Sequence, residues 1–83
     1  MAIIRFFASI KEKMGVETIE IRLPRPTPLR QVLEEAARTR GLPPELLIGG
    51  SCRFAVNQEV VGLEAMASDD DEIAALPPMS GGI

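Results

Sequence analysis

Thr27-Pro28-Leu29-Arg30-Gln31-Val32-Leu33-Glu34-Glu35-Ala36-Ala37-Arg38-Thr39-Arg40-Gly41 is the stretch from which the fold is read. Leu29, Val32, Leu33, Ala36 and Ala37 recur at i, i+3, i+4, i+7 and i+8. That spacing lays one apolar stripe along one side of an α-helix and asks for one apolar surface to cover it. Thr27 is placed to act as N-cap, with Pro28 at the first helical position. Gly41 is the natural stop, and Arg38 and Arg40 in the last turn favour the negative end of the helix dipole. Arg25, Arg30, Arg38 and Arg40 mark the wet side.

Upstream lie two segments with the period of strands. Residues 2–8 set Ile4, Phe6 and Ala8 on one side and Ile3, Arg5 and Phe7 on the other; Arg5 makes the second side partly wet and Phe7 a contact candidate. Ser9 to Met14 reads as a helical turn or a loop ended by Gly15. Residues 16–23 alternate Val16, Thr18, Glu20 and Arg22 with Glu17, Ile19, Ile21 and Leu23, and Ile19, Ile21 and Leu23 face inward. The two segments make a hairpin, and Pro24, Pro26 and Pro28 forbid continuing the ladder.

Downstream, Leu42 to Ile48 reads as a short helical turn under the core, ended by Gly49-Gly50. Residues 52–57 read as a third strand, Asn57-Gln58 as a turn into a short fourth strand at Val60-Val61, Ser68 to Asp71 as a turn, and Glu72 to Leu76 as a last strand. One main helix among four or five strands predicts an α+β domain with the helix on one face of a mixed sheet. Whether the last strand pairs with the first is not fixed by the pattern.

The chain has 83 residues, 46% of them hydrophobic, which is enough for one modest globular core. A net charge of -3 gives no electrostatic footprint for nucleic acid. There is no histidine, so the usual general base and commonest metal ligand are missing. The single cysteine, Cys52, allows no internal disulfide and suits a reducing cytoplasm; at a strand edge it reads as a small buried apolar residue. The first residues are too short and too charged for a signal peptide, and no apolar stretch approaches membrane-spanning length. Asp69-Asp70-Asp71-Glu72 lacks spaced ligands and reads as a solvated turn, not a metal site.

The sequence ends Leu76-Pro77-Pro78-Met79-Ser80-Gly81-Gly82-Ile83. Gly-Gly has no side chain to pack and is costly to order. It contributes little to a fold, yet it can thread a narrow channel and present an unhindered carboxyl. Pro77-Pro78 holds the root extended. The expected division is a domain over residues 1–77 and a flexible tail over 78–83.

Together with Phe6-Phe7-Ala8, the helix from Leu29 to Ala37, Ala55-Val56-Asn57 and Asp71-Glu72-Ile73, this tail resembles the ubiquitin-like sulfur-carrier family, specifically its molybdopterin synthase small subunits, along the whole chain. The resemblance implies a β-grasp fold and a carrier that is not an enzyme by itself. In the family the second glycine, here Gly82, is adenylated by an activating enzyme that consumes ATP, and is converted to a thiocarboxylate. The tail then enters the large subunit and delivers sulfur to a cyclic pterin precursor. No bound cofactor or metal is implied. Phe7, Val60, Leu76, Pro77, Pro78, Met79, Ser80 and Gly81 are the implied partner contacts, and a heterotetramer with two large subunits the implied assembly. The family's active form ends at the second glycine, so the resemblance implies that a peptidase removes Ile83 before activation. The family often carries aromatic residues before the proline pair, where this chain has Ala75-Leu76. Other readings are a carrier for thiamine thiazole, a protein modifier joined through Gly82 to a lysine, and a β-grasp interaction module without covalent chemistry.

Overall fold

A computed structural model describes residues 1–78. The expected tail residues Met79, Ser80, Gly81, Gly82 and Ile83 lie outside the described residues. The elements run β1 (Ala2–Phe6), α1 (Ala8–Met14), β2 (Thr18–Ile21), β3 (Thr27–Pro28), α2 (Leu29–Thr39), α3 (Glu45–Ile48), β4 (Arg53–Val56), β5 (Glu59–Val61), β6 (Met66–Ala67) and β7 (Glu72–Leu76). Five strands form one sheet in the order β2-β1-β7-β4-β5. β1 and β7 are parallel, with Ile4 opposite Ile73, and the other pairs in this sheet are antiparallel. This is the β-grasp arrangement, with α2 as the helix held by the sheet.

The stripe on α2 does what its spacing requires. Leu29, Val32, Leu33, Ala36 and Ala37 are all buried, against Ala2, Ile4 and Phe6 of β1, Phe54 of β4, and Ile73 and Ala75 of β7. Leu47 of α3 closes one side of this core, and Ile10 and Met14 of α1 join it. The end of α2 is a Schellman motif: Gly41, at φ 70°, donates to the Arg38 carbonyl at 2.9 Å, and Leu42 donates to that of Ala37 at 3.0 Å. The left-handed φ is why glycine stands there. Arg40 does more than favour its own helix dipole: its Nε donates to the Met14 carbonyl at 3.2 Å, satisfying the open end of α1.

The start of α2 differs from expectation. Thr27 is not the N-cap and Pro28 is not the first helical residue. Pro28 is extended (φ −57°, ψ 139°) and is itself the cap position, while Thr27 Oγ1 donates to the Arg25 carbonyl. Thr27-Pro28 form β3 and pair with Met66-Ala67 of β6. The first helical N–H groups find carbonyls instead of a capping side chain: Leu29 donates to Ala65 at 2.8 Å and Arg30 to Leu63 at 3.1 Å. A neighbouring segment thus supplies the acceptors that a side-chain cap provides elsewhere.

β1 also stops earlier than the pattern implies. Ala8 was expected on the core face, but the strand ends at Phe6 and Ala8 is exposed at φ 51°, the left-handed turn that swings the chain into α1. Such a φ costs an alanine roughly 1–2 kcal/mol. The Phe7 carbonyl receives the Ile10 N–H at 3.0 Å once the turn is made.

Candidate interaction face and tail exit

Strand alternation gives the sheet two unlike faces. The face away from α2 can be read from the register. Arg5 stands beside Ala74, Ala74 beside Ala55, and Ala55 beside Val60, a row across four strands. One level on, Leu76 stands beside Arg53, and the Phe7 N–H donates to the Ala75 carbonyl, which brings Phe7 level with Leu76. Ala55 is buried yet is not part of the main core; it is a small residue overtopped by its neighbours on this second face. The result is a shallow floor of two alanines with Phe7 (42% exposed) and Val60 (64% exposed) standing above it and Leu76 half-buried between. Single exposed apolar residues need no explanation, but three gathered on one face around an apolar floor form a candidate docking surface.

Arg5 on this face pairs diagonally across the parallel ladder with Glu72, which itself stands opposite Ile3. β7 brings Pro77 and Pro78 to the rim of the same face. Leu76 is its last strand residue, Pro77 is half-buried and Pro78 exposed. Pro78 lines an open groove of about 420 Å³ whose other walls include Ile48, Cys52, Arg53, Val60 and Leu63. Cys52 differs from its expected burial: it is half-buried, packs partly on the core and shows its other side to the groove. Cys52, Arg53 and Leu63 were not singled out for this site from the sequence, because only the strand register places them beside the tail exit.

The acidic turn is internally engaged. Asp69 Oδ1 accepts the Leu23 N–H at 2.8 Å and its other oxygen lies 3.4 Å from the amino terminus. The Leu23 hydrogen bond, helped by the amino terminus and Arg22, holds the Asp69 carboxyl below its ordinary value of 3.8 against a smaller opposing effect of burial. Asp71 accepts the Ser68 N–H at 2.7 Å and the Asn57 amide at 3.0 Å. Asn57 Oδ1 in turn accepts the Glu72 N–H at 3.0 Å, and the Asn57 N–H donates to the Glu72 carbonyl at 2.7 Å. Asn57 and Gln58 both have positive φ (52° and 71°), as a two-residue I′ hairpin turn demands. Ala55-Val56-Asn57 and Asp71-Glu72-Ile73 are therefore one device: the turn after β4 fixes the entry to β7, and β7 aims the tail. Among the described residues no cluster of three His, Cys, Asp or Glu side chains is arranged to hold a metal, and no helix is long and apolar enough to cross a membrane.

Residues 4–82 match the ThiS family. The chain is 34% identical over 79 residues to the molybdopterin synthase sulfur carrier subunit of Escherichia coli K12, covering 93% of this chain and 94% of that one. Among solved structures it is similar to SAMP1 of Haloferax volcanii (TM-score 0.78, 20% identity, 98% of both chains), a likeness of fold. It is also similar to a chain in the complex of subunits 1 and 2 of the molybdopterin-converting factor from Helicobacter pylori 26695 (TM-score 0.60, 30% identity, 98% of this chain and 97% of that one).

Proposed function

The chain belongs to the ThiS family, and we propose that it is the sulfur-carrying small subunit of a molybdopterin synthase. The observation that carries the reading is the meeting of Phe7, Leu76 and Val60 on the open sheet face at the point where β7 ends and Pro77-Pro78 lead away. A face that docks and a tail that reaches are the two parts a carrier needs. The similar Helicobacter pylori chain was solved with a second subunit of its converting factor, which supports a large subunit as the partner.

The chemistry is assigned to the tail. A C-terminal carboxylate is anionic at neutral pH and a poor electrophile. Once a peptidase has removed Ile83, an activating enzyme joins the Gly82 carboxyl to AMP from ATP with release of pyrophosphate. A sulfur nucleophile then displaces AMP and leaves a thiocarboxylate. The tail, from Pro78 through Met79, Ser80 and Gly81, passes into the large subunit and gives its sulfur to the cyclic pterin precursor. Acids, bases and metals are supplied by partners, in line with a chain that has no histidine. Two carriers on a dimer of large subunits make the working assembly.

The test is intact mass followed by reconstitution. Protein isolated gently from its native host is expected to lack Ile83 and to carry sulfur in place of one oxygen. Mixed with the large subunit and the cyclic precursor, it is expected to lose that sulfur as dithiolene forms. An unmodified mass after incubation with ATP, activating enzyme and sulfur source overturns the reading. Capture of a thiazole-forming partner instead of the large subunit moves the chain to the thiamine branch, and a ladder of lysine conjugates makes it a modifier.

A further inference from the structure

The open face holds two arginines, and only one of them is answered among the described residues. Arg5 is paired with Glu72, whereas Arg53 makes no ion pair and no side-chain hydrogen bond among the described residues. We propose that Arg53 is the specificity contact of this face, forming a charge-assisted, two-pronged hydrogen bond with an Asp or Glu carboxylate at the rim of the large subunit's apolar socket. This inference rests on the docking role proposed for the face.

The argument is one of position. Arg53 lies directly beside Leu76 in the β4–β7 ladder and two residues from Ala55, whose cross-strand neighbour is Val60. It stands between two of the three apolar contacts and lines the groove shared with Pro78. Cross-strand and diagonal neighbours on one face lie within about 5–8 Å of each other. A partner surface that covers both Leu76 and Val60 must therefore also cover the guanidinium. Burying a cation without a partner is strongly unfavourable, and its neighbours Leu76, Ala55 and Val60 on this face are apolar. The covering surface must bring the anion. The guanidinium fork matches a carboxylate, in which both oxygens accept. The phosphate of the activation step is a poorer fit. It is made at Gly82, six residues past Leu76, up to roughly 20 Å away along an extended tail.

The experiment measures the dissociation constant between full-length carrier and the large subunit from the same source by calorimetry, at low and high salt. Arg53→Glu, Arg53→Ala, Val60→Asp and Arg30→Glu are compared with the parent. Arg30, exposed on α2, controls for the change in net charge. Thermal melts confirm that each variant is folded, as expected for exposed positions. Arg53→Glu is expected to weaken binding about thirtyfold or more and Arg53→Ala about tenfold, with a flatter salt dependence than the parent, while Arg30→Glu stays within about threefold. If Arg53→Glu binds like the parent while Val60→Asp does not, the face docks but Arg53 is not its specificity contact. If Arg30→Glu weakens binding as much as Arg53→Glu, the effect is general charge and the inference fails. If Val60→Asp and Arg53→Glu both bind like the parent, the docking role of the face falls, and the inference with it.

Discussion

Phe6 and Phe7 are neighbours in the chain and stand on opposite sides of the sheet. Phe6 is 1% exposed, packed with Ile4, Ile73 and Phe54 beneath α2, whereas Phe7 is 42% exposed on the face that also carries Leu76 and Val60. The same four strands thus present large apolar side chains inward, and outward two alanines, two arginines and a few raised apolar residues. One face is filled by the chain's own helix; the other stays open, and the proposed function gives it to another protein. The inward set bears on stability and the outward set on association.

The sharpest break between fold and function is expected at the tail. Deleting Gly81 to Ile83 should abolish sulfur transfer in the reconstituted reaction and leave the melting temperature unchanged; a lost fold would show that the tail is part of the core. Next in size is Phe6→Ala, which should cost about 3–5 kcal/mol in denaturant unfolding because it empties a closed core. Phe7→Ala and Val60→Asp are the counterparts on the open face. Each should change stability by less than about 1 kcal/mol while weakening large-subunit binding at least about tenfold. If Phe7→Ala destabilises as Phe6→Ala does, the contrast between the faces fails.

Smaller effects test how the tail is aimed. Asn57→Ala should cost roughly 1–3 kcal/mol by removing two side-chain hydrogen bonds and a residue suited to positive φ. Asn57→Gly, which restores the turn but not the bonds, should recover part of it in the same unfolding assay. The smallest concerns Asp69. Its pKa is lowered in the folded state, so its contribution is fully present above the ordinary value of 3.8 and is lost as pH falls through the lower folded value. Melts of the parent and Asp69→Asn between pH 6 and acid should converge in that acid range; a constant gap would contradict the assignment.

Much of the architecture was legible because it repeats. Five stripe positions over eleven helical residues admit no reading but an amphipathic helix, and Ile19, Ile21 and Leu23 alternate too regularly for anything but a strand. The boundaries were less legible. Thr27-Pro28 has the composition of a helix start, yet pairs with Met66-Ala67 as β3, since carbonyls from a segment more than thirty residues away receive the first helical N–H groups. Ala8 continues the alternation of β1 but sits at a turn, because α1 must be reached from there. Cys52 sits on a groove wall because of how β4 and β5 are set against the tail exit. For the candidate site, Val60 and Leu76 were named from resemblance and Phe7 also from the alternation of β1, and the strand register showed that they share a face.

The sequence by itself determined the helix, the strand periods, the glycine stops and a Gly-Gly tail behind a proline pair, since each depends on residues close along the chain. Tertiary structure alone decided that β1 and β7 run parallel at the centre of the sheet, that Asn57 braces the entry to β7, and that Arg53 lies between Leu76 and Val60 with no ion pair among the described residues. Those facts depend on which strands become neighbours, and that is settled by burial of the shared core, not by any local pattern.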